Sequence, residues 1–112
     1  MDQEQDYYKL STRNLACKIP HAEIVYFNSK KMKTTLHTLS GEKYTVSKNL
    51  SRVYDEICRP KMFIKIDRSI VINLVHVKCY EKDNGRTVVM KNNHALSVSR
   101  REKSKMLKAY FS

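Results

Sequence analysis

Two short runs of β-forming residues meet at a polar corner in the middle of the chain. Residues 62–66 and 70–74 are rich in isoleucine and valine, and the Asp-Arg-Ser corner between them contains Arg68. Runs of this kind, separated by turn residues, are typical of neighbouring antiparallel strands. A strand that ends in a turn can project an arginine beyond the sheet edge, where a rigid scaffold aims it at a partner. The sequence therefore predicts a β domain with a functional turn at this corner.

The charge of the chain points to the kind of partner. The 112 residues are enough for one domain, and they include 22 lysines and arginines against 11 acids. Three of the acids lie in residues 1–6, so residues 7–112, with 22 basic and eight acidic side chains, carry a net charge of +14. This excess favours a polyanion, with nucleic acid ahead of an anionic membrane surface. We interpret residues 1–6 as a polar extension and residues 7–112 as one basic domain.

Three observations favour a cytoplasmic protein. No apolar run approaches the ~20 residues that span a bilayer. The acidic N-terminus lacks the basic and then apolar layout of a signal peptide. The three cysteines are widely spaced and odd in number, so they cannot form a complete disulfide framework, which fits a reducing compartment.

Strand patterns dominate the chain. Short β-forming runs bounded by turn residues predict strands within 7–18 and over 22–28, 33–39, 43–46, 62–66, 70–80, 86–91 and 95–98. Hairpin turns are indicated at residues 40–42 and at Asp83-Asn84-Gly85. The second turn has the stronger signal because Asn and Gly both tolerate positive φ.

Two segments have helical periodicity instead. From Leu50 to Cys58, apolar residues recur at helical spacing, Asn49 or Ser47 can cap the start, and Pro60 stops the helix. Near the C-terminus, Ser99 and Glu102 form a capping-box pattern ahead of an apolar stripe. The expected fold is mostly β, with one short internal helix and one short C-terminal helix.

Motifs for catalysis or metal binding are weak. The histidines and cysteines lack zinc-type double spacing. The chain has only two glycines, too few for a phosphate-cradling loop, and it has no nucleophile motif. We therefore expect neither an enzyme nor a cofactor.

Basic residues gather at the predicted turns and strand ends. One group is a loop after the 22–28 strand, a second surrounds the Asp-Arg-Ser corner, and a third begins the C-terminal helix: Lys30, Lys31, Lys33, Lys65, Arg68, Arg100 and Arg101. Solvated loop charge is the commonest role of such groups, but three turns can converge on one face of a sheet. Arginine can bind guanine O6 and N7 with two hydrogen bonds, and lysine can hold phosphates. The few aromatics in these loops favour duplex grooves over stacking on single strands.

These motifs together resemble the LytTR DNA-binding domain, the output module of many bacterial quorum-sensing and virulence response regulators. The resemblance covers most of the chain, from residues 19–27 and the helix after Asn49 onward. It depends above all on the spacing between Phe63-x-Lys65-Ile66-x-Arg68-Ser69-x-x-Ile72-Asn73 and Leu96-Ser97-Val98-Ser99-Arg100-Arg101. The family often has His where Asp67 stands, and an acidic side chain there is expected to reduce phosphate affinity.

The resemblance implies an elongated fold of three small antiparallel sheets that places loops, rather than a recognition helix, into successive major grooves. Such domains typically bind imperfect direct repeats in double-stranded promoter DNA and bend it, and a second copy can occupy the adjacent repeat. By position, Lys33, Arg68 and the turn of Ser99, Arg100 and Arg101 are the implied contacts. Ser69 and Asn73 are expected to be structural and to satisfy turn backbone groups.

The sequence leaves control and specificity open. Family members commonly carry a receiver domain ahead of this module, so the chain is either an excised output domain or a stand-alone regulator. A stand-alone regulator would need another partner, such as a small membrane inhibitor. The alternative function is a non-specific nucleic-acid-binding basic protein, which would bind scrambled duplexes equally well. A membrane-surface or protein-interaction module ranks third and would also bind anionic vesicles.

Overall fold

A computed structural model describes residues 6–57, 59–82 and 86–111 of the chain. Within these ranges, ten strands form three antiparallel sheets, accompanied by two α-helices. The molecule is longest in one direction, with extents of 43 × 35 × 25 Å. The elements are β1 (Tyr7–Ser11), β2 (Ala16–Pro20), β3 (Ile24–Lys30), β4 (Lys33–Thr38), β5 (Lys43–Val46), α1 (Leu50–Ile57), β6 (Phe63–Asp67), β7 (Ile70–Asn73), β8 (Val77–Glu81), β9 (Thr87–Met90), β10 (Ala95–Ser97) and α2 (Arg100–Phe111).

The central sheet has the strand order β5-β4-β3-β7-β6. The β1–β2 hairpin and the sheet β10-β9-β8 are the other two sheets. Because side chains alternate along a strand, the central sheet has two apolar faces, and both are covered. Phe27, Phe63 and Val71 pack on one face with α1 and the β1–β2 hairpin. Ile64 and Ile72 pack on the other face with the third sheet and α2.

Each α-helix begins at the cap residue that local chemistry favours. Asn49 caps α1, since its Oδ1 accepts a hydrogen bond from the Arg52 amide at 2.9 Å. Ser99 caps α2 through its Oγ, which accepts from the Glu102 amide at 3.3 Å. The predicted capping box is only half correct. The Ser99 amide donates to the Ile66 carbonyl oxygen at 2.8 Å instead of binding Glu102. That bond fastens the start of α2 to β6.

The prediction of one strand over residues 70–80 is wrong. β7 ends at Asn73, a 3₁₀ turn follows over Leu74–His76, and β8 begins in another sheet. The cause is local, because Asn73 Oδ1 accepts a hydrogen bond from the Val75 amide at 3.0 Å. Such a side-chain bond to the backbone competes with the strand ladder and redirects the chain.

Other boundaries differ by smaller amounts. Residues 21–23 form a 3₁₀ turn, so β3 starts and ends two residues later than the predicted 22–28 strand. The carbonyl oxygen of Asp6, the last residue of the predicted extension, accepts from the His21 amide at 2.9 Å. The predicted turn at Asp83-Asn84-Gly85 and residue Cys58 lie outside the described residues. β8 and β9, which flank that turn, do pair in antiparallel fashion.

Candidate nucleic-acid interface

Three basic turns lie together at one end of the central sheet. β3 and β7 pair with Asn28 opposite Ile70, so the turn after β3 lies beside the turn before β7. The Ser29 amide extends this pairing by donating to the Ser69 carbonyl oxygen at 2.9 Å. The bond from Ser99 to β6 brings the start of α2 to the same end. The three turns therefore lie at one end of the central sheet, whereas the sequence suggested that they could converge on one of its faces.

Two of the three basic groups share one cleft. Lys65, Arg68 and Arg101 line it together with Ser99, Asp67 and Glu102, and its volume is about 400 Å³. Arg68 and Arg101 are exposed, whereas Lys65 is half-buried. Arg100 is exposed at the first position of α2, outside the set of residues that line the cleft. The cleft thus combines three cations and two carboxylates at the start of a helix, the helix end that attracts anions.

The lysines of the first turn line a second, open cleft of about 390 Å³. Lys30, Lys31 and Lys33 are all exposed there. Three uncharged polar residues complete the cleft: Asn28, Thr35 and Thr45. The two threonine hydroxyls lie 2.9 Å apart on β4 and β5. Hydroxyl and amide groups beside lysines are ordinary contacts for DNA phosphates.

Sequence reasoning missed these three uncharged residues because it considered the charged residues of the turns and not the uncharged residues of the adjoining strands. A signal was present, since residues 28–30 and 33–35 are polar throughout, and positions 28 and 30, like positions 33 and 35, lie two apart along a strand. Alternation with a period of two places them on one face of the sheet. Lys30 pairs with Lys33, and Asn28 pairs with Thr35, so the polar face is continuous across the hairpin.

Asp67 is occupied within its own turn. Its Oδ1 accepts hydrogen bonds from the Ser69 amide at 3.0 Å and from the Ser69 hydroxyl at 3.1 Å. Aspartate commonly stabilises turns in this way. The carboxylate that was expected to reduce phosphate affinity therefore also fixes the path of the backbone on either side of Arg68.

Asn73 is structural, as expected from the sequence. It is fully buried, and its Nδ2 donates to the Ile24 carbonyl oxygen at 2.9 Å. Its Oδ1 holds the turn that ends β7. Ser69 has the same kind of role through its bonds to Asp67.

The cations of the three turns have no anionic partner in the described part of the protein. The ion pairs found there lie elsewhere: Lys48 and Arg52 both contact Glu56, and Arg59 contacts Asp6. Over the described ranges, the lysines and arginines of the two clefts therefore form no ion pair with an acid of the protein.

The described residues contain no cluster of three or more His, Cys, Asp or Glu side chains suited to a metal ion. Over the same ranges, no helix has both the length and the apolar character needed to cross a bilayer.

The fold defines a class of protein, a small, mostly β domain with basic turns at one end of its central sheet. The family model of the LytTr DNA-binding domain matches residues 15–111, and the chain therefore belongs to the LytTR family of DNA-binding domains. This is a family of DNA-binding rather than catalytic domains.

A solved structure has a similar fold. It is described as the LytTr DNA-binding domain of a methyl-accepting/DNA response regulator from Bacillus cereus. The two structures superpose with a TM-score of 0.78 over 94% of this chain and 96% of that chain, at 22% sequence identity. At this identity the likeness establishes the fold. A comparison with curated proteins found no match.

Proposed function

We propose that the chain is a transcriptional regulator that recognises specific double-stranded promoter DNA by placing its three basic turns into successive major grooves. The observation that carries this proposal is the position of the turns at one end of the central sheet, tied together by the Ser29–Ser69 and Ser99–Ile66 backbone bonds. We assign residues 7–112 to the DNA-binding domain and residues 1–6 to a polar extension.

Arg68 is proposed to read a base. Its corner lies between two strands that are packed on both faces, and Asp67 fixes the turn. The guanidinium can therefore approach the O6 and N7 of a guanine with a defined geometry. Lys65 and Arg101, in the same cleft, would hold the flanking phosphates. Ser99 and Arg100 would bind phosphate at the start of α2.

The first turn is proposed mainly to hold the backbone. Lys30 and Lys31 are flexible point charges, suited to phosphates of any sequence. Lys33 begins β4 and is positioned by the strand pairing, so by position it should behave more like Arg68.

A single domain of this size reaches a short stretch of DNA, so we propose that two copies bind adjacent imperfect direct repeats and bend the duplex. Binding to chromosomal promoters implies a cytoplasmic location. Control would come from a receiver domain in a longer natural protein, or from a small membrane inhibitor if the chain acts alone.

The test begins with selection of a binding site from random duplexes, followed by titrations of the selected duplex and a scrambled one. We expect Arg68→Ala to cost ~1–3 kcal/mol on the selected duplex and much less on the scrambled one. Lys31→Ala is the matched control: it should weaken both duplexes alike and reduce the salt slope by ~1. Both variants are first checked for folding by circular dichroism.

Two results would overturn this assignment. Equal losses for Arg68→Ala on both duplexes would show that the arginine only holds phosphate. A selection that returns no preferred sequence would favour the alternative, a non-specific nucleic-acid-binding basic protein.

A further inference from the structure

The tip of the β3–β4 hairpin has an unusual backbone. Lys30 and Lys33 pair across the hairpin, so Lys31 and Met32 form the whole connection. Both have left-handed backbone angles, with φ of 50° and 67°. Positive φ at both positions is the pattern of a type I′ turn, which strongly favours Asn and Gly because a Cβ is strained there. This turn contains neither residue.

The neighbouring structure holds this strained turn in place. On the β3 side, Ser29 is bonded to Ser69. On the β4 side, Thr34 is fully buried, and its hydroxyl donates to the Lys48 carbonyl oxygen at 2.8 Å. Strained backbone persists where surrounding contacts determine it, and such positions concentrate at functional sites.

Met32 is the apolar residue at this tip, and it is 70% exposed. A single exposed apolar side chain is ordinary by itself. Here, however, the side chain stands on a strained turn between three exposed lysines, at the end of the molecule where the other basic turns also lie. If the lysines contact phosphates on both sides of a groove, the residue between them points towards the base edges.

The chemistry of Met32 narrows what it can contact there. In the major groove, the one apolar group that a base pair presents is the C5-methyl group of thymine. The methionine side chain is unbranched and polarisable, so it adapts to such a group without a hydrogen bond. The charged ends of the lysines beside Met32 suit phosphates and cannot distinguish a base that carries this methyl group from one that lacks it.

We propose that Met32 is a specificity-determining residue that contacts a thymine C5-methyl group in the major groove. This inference rests on the proposed function. It adds recognition of an A·T pair by the first turn to the recognition of guanine by Arg68.

The test uses the duplex selected by the unaltered chain. Each thymine in turn is replaced by deoxyuracil, which removes only the methyl group, and affinity is measured for each duplex. For the unaltered protein we expect one or two replacements to weaken binding about fourfold, the equivalent of ~0.8 kcal/mol for one buried methyl group. For Met32→Ala and Met32→Gly, the same replacements should change affinity by less than about 1.5-fold, because the methyl group has lost its partner.

The glycine variant also separates binding from folding. Glycine suits a left-handed turn, so Met32→Gly should fold at least as well as the unaltered chain while losing the thymine preference. Leu39→Ala is the matched control: Leu39 is a 47% exposed apolar residue just beyond the opposite end of β4, and its removal should leave the deoxyuracil effect intact.

The results distinguish this inference from the proposed function. If no deoxyuracil duplex binds more weakly, or if the effect persists in Met32→Ala, the methyl contact is wrong even where Arg68→Ala still discriminates between selected and scrambled DNA. If no duplex is selected at all, the proposed function fails and this inference fails with it.

Discussion

Asp67 and Ser69 are joined by two hydrogen bonds that enclose Arg68. One carboxylate oxygen of Asp67 accepts from the Ser69 amide at 3.0 Å and from the Ser69 hydroxyl at 3.1 Å. In a protein with an excess of 11 positive charges, an acid beside the proposed DNA contact Arg68 is unfavourable for phosphate binding by charge alone. The two hydrogen bonds, however, fix the backbone turn that carries Arg68.

We expect Asp67→Ala to weaken binding to the selected duplex about fivefold, although it removes a negative charge. Two hydrogen bonds that contribute ~0.5–1.5 kcal/mol each are lost, and part of that loss falls on the geometry of Arg68. Asp67→Asn retains an acceptor oxygen and should bind nearly as well as the unaltered chain. Asp55→Ala removes the same charge from the exposed side of α1 and serves as the control in the same titrations. Tighter binding by Asp67→Ala would mean that repulsion of phosphate outweighs its effect on the turn.

Two substitutions of Ser99 should separate an effect on stability from an effect on DNA binding. Ser99→Ala loses the cap of α2 and should lower the free energy of unfolding by ~1 kcal/mol. Ser99→Asp keeps a capping oxygen and adds a charge that suits a helix N-terminus, so it should be as stable as the unaltered chain. That carboxylate would lie in the cleft with Lys65, Arg68 and Arg101, however, and DNA affinity should fall severalfold. Urea unfolding and duplex titration measure the two effects. An aspartate variant with unchanged DNA affinity would place this cleft outside the interface.

Substitution of Asn73 should lower stability strongly and change DNA affinity little. Asn73→Ala leaves the buried Ile24 carbonyl and the Val75 amide without their partner, and we expect a loss of ~2–3 kcal/mol in unfolding free energy. At a temperature where the variant is folded, its DNA affinity should change less than twofold, since Asn73 lies at the far end of β7 from the basic turns. Ser104→Ala, at an exposed position of α2, is the neutral control for stability. A large loss of affinity in the folded Asn73 variant would contradict a purely structural role.

His37 should make the protein less stable in mild acid. Burial, together with His94 and Lys43, lowers the pKa of His37 from 6.5 to about 4. Its Nε2 lies 2.8 Å from Asn28 Oδ1, and its ring stacks on Tyr26 at 4.2 Å. As the pH falls below 6.5, the unfolded chain takes up a proton that the folded chain does not accept until about pH 4. The free energy of unfolding should therefore decrease through this window.

His37→Gln removes this titration, and its stability should depend less on pH between 6.5 and 4. Some slope will remain, because burial also lowers the pKa of His21. The measurement is urea unfolding of both proteins at several pH values. Equal slopes for the two proteins would rule out His37 as a source of the pH dependence.

Local sequence patterns were sufficient to predict several strands and helices. The strand over 43–46 and the start of the helix at Leu50 agree with the structure, because period-two alternation, apolar helical spacing and an asparagine cap are properties of a few neighbouring residues. The same reasoning failed at residues 70–80. Apolar β-formers run through that segment, and the strand ends where the Asn73 side-chain oxygen accepts a hydrogen bond from the Val75 amide.

The candidate site was predictable in its charges but not in its arrangement. Sequence reasoning identified the basic turns and the structural role of Asn73. It could not show that Arg68 and Arg101 line one cleft, because the position of α2 beside this turn depends on the bond between Ser99 and Ile66. It also passed over Thr35, Thr45 and Met32, whose positions depend on strand pairing and backbone angles.

The sequence by itself determined the class of fold, the basic character of the surface and which turns carry the cations. Secondary-structure propensity, hydrophobic periodicity and charge are properties of single residues and their close neighbours in the chain. The tertiary structure alone decided which turns meet, which polar side chains face outward together and which acid is engaged within its own turn. These features depend on the register of β3 against β7 and on the docking of α2 against β6, and both arise from contacts between residues far apart in the chain.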